Sequence, residues 1–199
     1  MIGSEAASVT GGDCPPVERF LNARLKQLRE GWPQHLVLDC TDAQAEAGEV
    51  LAKLSLAAAR VGFIYLSLDR LVERPHPLIQ LADRFLGLAG TDLPNPRWED
   101  TAETYLRFSK AVHAACKVQT APILVSISDA EAIRKRPDGV SVLSAIRSAL
   151  NEAQQQIVSI FMLPSYLTVC LFAAGKSDPF YDFGTALQLR NELASRSAG

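Results

Sequence analysis

Apolar residues along the chain fall into two alternating patterns. The stretch VERFLNARLKQLREG sets Val17, Phe20, Leu21, Leu25 and Leu28 on one stripe at three- and four-residue spacing, with Gly31 placed to end it, and so predicts an amphipathic helix. Four compact apolar runs follow: HLVLDC (35–40), FIYLSL (63–68), PILVSIS (122–128) and QIVSIFML (156–163), with TALQL (185–189) as a shorter fifth. They are rich in β-branched and aromatic residues and mostly lack polar alternation, the pattern of strands covered on both faces. Between them, residues 46–60, 77–89, 98–117 and 140–155 carry helical periodicity, the third through Tyr105, Leu106, Phe108, Val112 and Ala115. Strands alternating with helices predict an α/β fold, a three-layer α/β/α sandwich around a mostly parallel five-stranded sheet.

Composition refines this picture without redirecting it. A chain of 199 residues, 48% hydrophobic, suffices for one well-buried domain. Residues 1–16 are small and polar and are interrupted by Gly11, Gly12, Pro15 and Pro16, so they read as a disordered tail; 17–192 read as the domain and 193–199 as a flexible C-terminus. The proline-broken stretches DRLVERPHPL and AGTDLPNPRW are loops within the domain. A formal charge of −2 gives no electrostatic case for nucleic acid or an anionic membrane. No apolar run approaches the roughly 18 residues of a membrane-inserted helix. Cys14, Cys40, Cys116 and Cys170 are too dispersed for a disulfide framework, which points to reduced thiols and a cytoplasmic setting.

Ligands of open parallel sheets sit beyond the carboxyl ends of the strands. DCTDAQAEAGEVLAKL (39–54) follows the first strand, SISDAEAI the third and LPSYLT the fourth, while KSDPFYDFG precedes the fifth. The first of these holds four carboxylates, Asp39, Asp42, Glu46 and Glu49, with no basic residue before Lys53. Acids at a helix start favour its dipole and cap it; a metal or cationic ligand is the competing use. His35, His76 and His113 lack metal-ligand spacing, and no metal site is expected. Cys40 and His35 stand roughly 16 Å apart along a strand, too far for a nucleophile and its base.

Taken in order, GWPQHLVL, GFIYLSLD, APILVSISDAEAI, VLSAIRSALNEAQQQIVSIFMLPS and DPFYDFGTALQL resemble successive segments of the AAA-type P-loop ATPases of the bacterial orphan or STAND-like group. The resemblance spans residues 17–190 and is most specific in the C-terminal third. It implies the P-loop NTPase strand order 5-1-4-3-2, and in an active member it would imply ATP and magnesium. The departures fall on the chemistry. A phosphate loop, G-x-x-x-x-G-K-[ST], needs glycines for close backbone approach, a lysine for the phosphates and a hydroxyl for magnesium. With Gly48 as the second glycine, Ala43 replaces the first, Glu49 the lysine and Val50 the hydroxyl. At about 4 Å and an effective dielectric near 20, a like-charge pair costs about 4 kcal/mol, so this lysine-to-glutamate change turns attraction into repulsion.

At the third strand, the Walker B pattern puts Ser128 where a carboxylate would organise magnesium and Asp129 where a glutamate would polarise water. Ser165 falls at the sensor position of the fourth. A phosphoacceptor pocket of the response-regulator kind, built from Asp39, Asp129 and Ser165, lacks a lysine at the fifth strand. The expectation is a pseudo-ATPase without cofactor and without enzymatic activity, serving as an interaction, scaffold or regulatory subunit. Its partner would be an active ATPase subunit or a second copy of the chain. The alternative is an ATP- and magnesium-binding protein in which Lys53, about one helical turn or roughly 6 Å further on, reaches the phosphates. Two apolar sets are candidates for partner binding, with packing onto the sheet as the competing role: Phe20, Leu21, Leu25 and Leu28, and the segment Phe180, Tyr181 and Phe183.

Overall fold

Apolar runs too short for helices pair edge to edge at the centre of the molecule. The computed structural model describes residues 15–31, 34–71, 75–94, 101–128, 130–153, 155–163 and 184–195. Its strands are β1 (His35–Asp39), β2 (Ile64–Ser67), β3 (Ile123–Ile127), β4 (Ile157–Leu163) and β5 (Thr185–Gln188). All pair in parallel, in the order β2-β3-β4-β1-β5, which is the expected 5-1-4-3-2 read from the other edge. In register, Val37 lies opposite Phe161 and Ala186, and Val125 opposite Leu66 and Ser159.

Parallel neighbours require crossovers, which from β1 to β3 and on to β4 run through helices, and further helices flank the sheet. They are α1 (Pro16–Arg29), α2 (Gln44–Val61), α3 (Pro77–Ala89), α4 (Thr101–Val118), α5 (Ala130–Arg134), α6 (Gly139–Glu152) and α7 (Leu189–Ser195). Strand β4 is buried along its whole length because its two faces feed different cores. Ile157, Phe161 and Leu163 pack with α3, α4, α5 and α6, whereas Val158, Ile160 and Met162 pack with α1, α2 and α7. Gly62, at φ 84, adopts the left-handed conformation that turns the chain from α2 into β2. Among the described residues no helix is long and apolar enough to cross a membrane.

The structure departs from the sequence expectation in several places. Pro16 is the first residue of α1 rather than the end of a tail, a position where a missing N–H costs nothing. Residues 130–134 form the short helix α5. At the other end, residues 189–195 continue β5 as α7, with Leu189 and Leu193 buried against the α1 side of the core and Glu192 accepting from Arg24 Nε at 3.0 Å. That helix extends the ordered fold beyond residue 192. Phe20, Leu21, Leu25 and Leu28 are all buried under α1, so packing accounts for the whole stripe and none of the four is exposed to a partner.

Candidate functional site

Because every strand is parallel, the ends of β1, β2, β3 and β4 share one edge of the sheet. At the end of β1, Asp39 Oδ1 accepts from the Thr41 amide at 3.0 Å and from its hydroxyl at 2.6 Å, closing a tight turn. The Cys40 amide donates to Leu163 O, the Ala43 amide to Cys40 O and the Ala47 amide to Ala43 O. Helix α2 then begins at Gln44, so the connection is only four residues, Cys40 to Ala43, and holds no glycine. The residue capping α2 is Ala43, with no side-chain hydrogen bond. None of the four acids therefore caps this helix: Asp39 serves its own turn, while Asp42, Glu46 and Glu49 are exposed.

Gly48, Glu49 and Val50 lie within the helix rather than in a loop, and Val50 is fully buried. Lys53 is the tenth residue of α2, roughly 14 Å of helical rise from its start. Its ammonium is 2.8 Å from Glu49 and 2.9 Å from Glu18 on α1, and these two carboxylates raise its pKa. The alternative in which Lys53 reaches phosphate at the strand ends does not fit this geometry, because the side chain ties α2 to α1.

A second constellation stands at the ends of β2 and β3. Asp69, two residues past β2, accepts from the Ser128 amide through Oδ1 at 2.6 Å and from the Ser67 hydroxyl through Oδ2 at 2.6 Å. Ser128, at the position of a missing magnesium carboxylate, thus has a carboxylate beside it, supplied from the neighbouring strand. The Tyr65 and Ser126 hydroxyls are 2.8 Å apart, and burial raises the Tyr65 pKa. Arg84, on α3, donates from Nη1 to the Ser67 carbonyl at 2.7 Å. Arg70 has φ 58, the left-handed region, and is the only non-glycine residue there among those described. Together with Gly48, Leu51 and Ala52 of α2, these groups, the buried Ser126 apart, line an open cleft of about 750 Å³. Sequence reasoning passed over it by weighing the ends of the first, third and fourth strands and not the second; the Asp69-Arg70 pair directly after FIYLSL was the available signal.

Several other reactive side chains have structural work. His35 is buried, with Nδ1 2.8 Å from the Ser159 hydroxyl, and burial lowers its pKa to about 4. The Cys40 thiol is pushed by burial to about 12, which keeps it protonated and unreactive. His76 accepts the Leu78 amide on Nδ1, leaving Nε2 to donate to Asp138 at 2.7 Å, where Arg136 Nε also donates at 3.0 Å. Burial works to raise the Asp138 pKa, but the Arg136 and His76 hydrogen bonds outweigh it and hold the carboxyl below its ordinary value. This clasp joins the starts of α3 and α6. Among the described residues no cluster of His, Cys, Asp or Glu is arranged to hold a metal ion. Asp129, Ser165, Phe180, Tyr181 and Phe183 lie outside the described residues.

No protein-family model and no curated protein matches the chain. A solved structure that it resembles is that of the Aeropyrum pernix Orc1 protein in complex with DNA, at 19% identity and a TM-score of 0.53. The likeness covers 94% of this chain and 50% of that one, so the chain spans about half the length of this neighbour. Orc1 is an AAA+ protein. The shared feature is the fold: a parallel five-stranded sheet between helical layers, of the P-loop NTPase-like kind.

Proposed function

We propose that this chain is a non-catalytic P-loop NTPase-like domain, a pseudo-ATPase that serves as an interaction, scaffold or regulatory subunit. The observation that supports this reading most directly is the four-residue, glycine-free connection between β1 and α2. A phosphate loop binds through successive free backbone N–H groups and a lysine at the helix start. Here the connection offers no glycine, its Ala43 amide is already donated to the Cys40 carbonyl, and Glu49 stands where a cation is needed. Its partner is an active ATPase subunit or a second copy of the chain, and its setting is the cytoplasm, in keeping with dispersed, reduced cysteines. The Orc1 neighbour was solved with DNA; for this chain the formal charge of −2 favours a protein partner over nucleic acid.

Titration with ATP and magnesium tests the reading. The expected result is no saturable heat up to about 1 mM ligand, in the native protein and in Lys53→Ala alike. Saturable binding that Lys53→Ala removes would replace this proposal with a working nucleotide site.

A further inference from the structure

We propose that two copies of this chain join through β2, the two strands running antiparallel about Tyr65 so that one five-stranded sheet continues into the other. The inference rests on the interaction role proposed above and takes the partner to be a second copy of the chain.

Strand β2 is an edge of the sheet and pairs with β3 alone. Alternate residues of a parallel strand turn their backbone groups to opposite sides. The Ile64 amide donates to Pro122 O at 3.0 Å and the Leu68 amide to Ser126 O at 2.9 Å, so the even-numbered residues serve β3. Tyr65 and Ser67 therefore turn outward. Among the described residues, no hydrogen bond takes up the Tyr65 amide, the Tyr65 carbonyl or the Ser67 amide. Edge strands are ordinarily guarded by charge or proline, and the run from Phe63 to Ser67 holds neither.

The groups left over complement themselves. In an antiparallel pair centred on Tyr65, each Tyr65 amide meets the Tyr65 carbonyl of the other copy, and Phe63 stands opposite Ser67. There the Ser67 amide meets the Phe63 carbonyl. The remaining two groups of that pair are already satisfied within the chain: the Phe63 amide donates to Ala58 O at 3.0 Å, and the Ser67 carbonyl accepts from Arg84 Nη1 at 2.7 Å. This register calls on no group that the fold has used.

A two-fold contact sets residues beside their own copies, so like charges have to stay out of it. Helix α2 meets that condition. At about 3.6 residues per turn, its Glu46, Glu49, Lys53 and Arg60 fall on one side, and Lys53 ties that side to Glu18 of α1. Gly48, Leu51 and Ser55 fall on the other, where Gly48 and Leu51 border the same cleft as Tyr65. Arg84 also stays clear of its copy. The two Ser67 carbonyls that the arginines hold would stand roughly 13 Å apart along the strands, beyond the screening length of about 10 Å.

Sedimentation equilibrium of the full chain, with backbone hydrogen exchange followed at the same concentrations, provides the test. A dimer should form by about 100 μM. In it the Tyr65 and Ser67 amides should exchange slowly, and at least about tenfold faster after dilution to the monomer. Tyr65→Pro removes the central donor without breaking a bond to β3. Ser55→Glu, at an exposed position, places a charge against its own copy and keeps the test valid if proline disturbs the strand. Each should raise the dissociation constant at least about tenfold, with the unfolding midpoint of monomeric Ser55→Glu unchanged. A monomer at about 100 μM, a dimer in which the Tyr65 and Ser67 amides still exchange freely, or native dimerisation of Ser55→Glu would overturn the proposal. The ATP titration fails separately: a dimer that binds ATP would remove the pseudo-ATPase reading and leave this interface, and a monomer that binds none would do the reverse.

Discussion

Lys53 is the side chain on which the two nucleotide readings divide, and its hydrogen bonds to Glu49 and Glu18 decide its direction. Glu49 was legible as a partner from its four-residue offset on the helix; Glu18, from another helix, was not. Asp69 escaped for the same reason. A carboxylate just past a short strand reads as a solvated residue until the Ser128 amide, 59 positions away, is brought against it. His35 is also defined by a distant contact, with Ser159, and its burial yields a pH dependence. The folded state holds its pKa near 4 against 6.5 in the exposed ring, so the unfolded chain binds more protons between those values. Stability from this residue is complete above pH 6.5 and is lost as pH falls toward 4. Between pH 7 and pH 5 the loss is about 2 kcal/mol. Denaturant unfolding should show that the deficit of His35→Gln relative to native shrinks by about that amount at pH 5; a deficit that does not change with pH would mean that the ring is not held neutral.

At the scale of elements, all five strands and the longer helices were readable because each carries a full period of its pattern. The strands are nearly continuous apolar runs because helices cover both faces of the sheet, and β4 displays this most clearly. Among the described residues, the two helices that went unread are the shortest. Helix α5 has five residues, little more than one turn, which leaves no periodicity to detect. Helix α7 has seven and shows only Leu189 and Leu193 at helical spacing, the first of which also completes the apolar run of β5. What identifies α7 as part of the domain is its packing against α1, reinforced by Arg24 and Glu192. Leu193→Ala should therefore cost about 2 kcal/mol of unfolding free energy, the low end for a buried leucine at the edge of a core. A change below about 0.5 kcal/mol, the scale of a neutral surface substitution, would mean that the helix is not docked.

Over the whole molecule, the arrangement of β1, α2 and α1 governs whether nucleotide chemistry is recoverable. The sequence suggested that charge was the obstacle, since Glu49 stands where lysine belongs. The structure adds a second obstacle that charge reversal leaves in place. An anion at a helix start is held by the first four N–H groups, which have no partner within the helix. Here the chain enters α2 at Gln44, directly after the Asp39 turn, and the Ala43 amide is already donated to the Cys40 carbonyl. Gly48 and Glu49 come later still, where helical amides bond to carbonyls four residues back. Restoring the cation at this position, as in Glu49→Lys, removes the repulsion but leaves the lysine in the second turn of the helix and provides no glycine loop. It also takes away one of the two carboxylates that hold Lys53. Calorimetry of Glu49→Lys with ATP and magnesium should remain without saturable heat, and its unfolding midpoint should fall. If that single change instead created binding that competes with inorganic triphosphate, the four-residue connection would be flexible enough to rebuild a phosphate loop, and charge alone would separate this domain from a nucleotide-binding one.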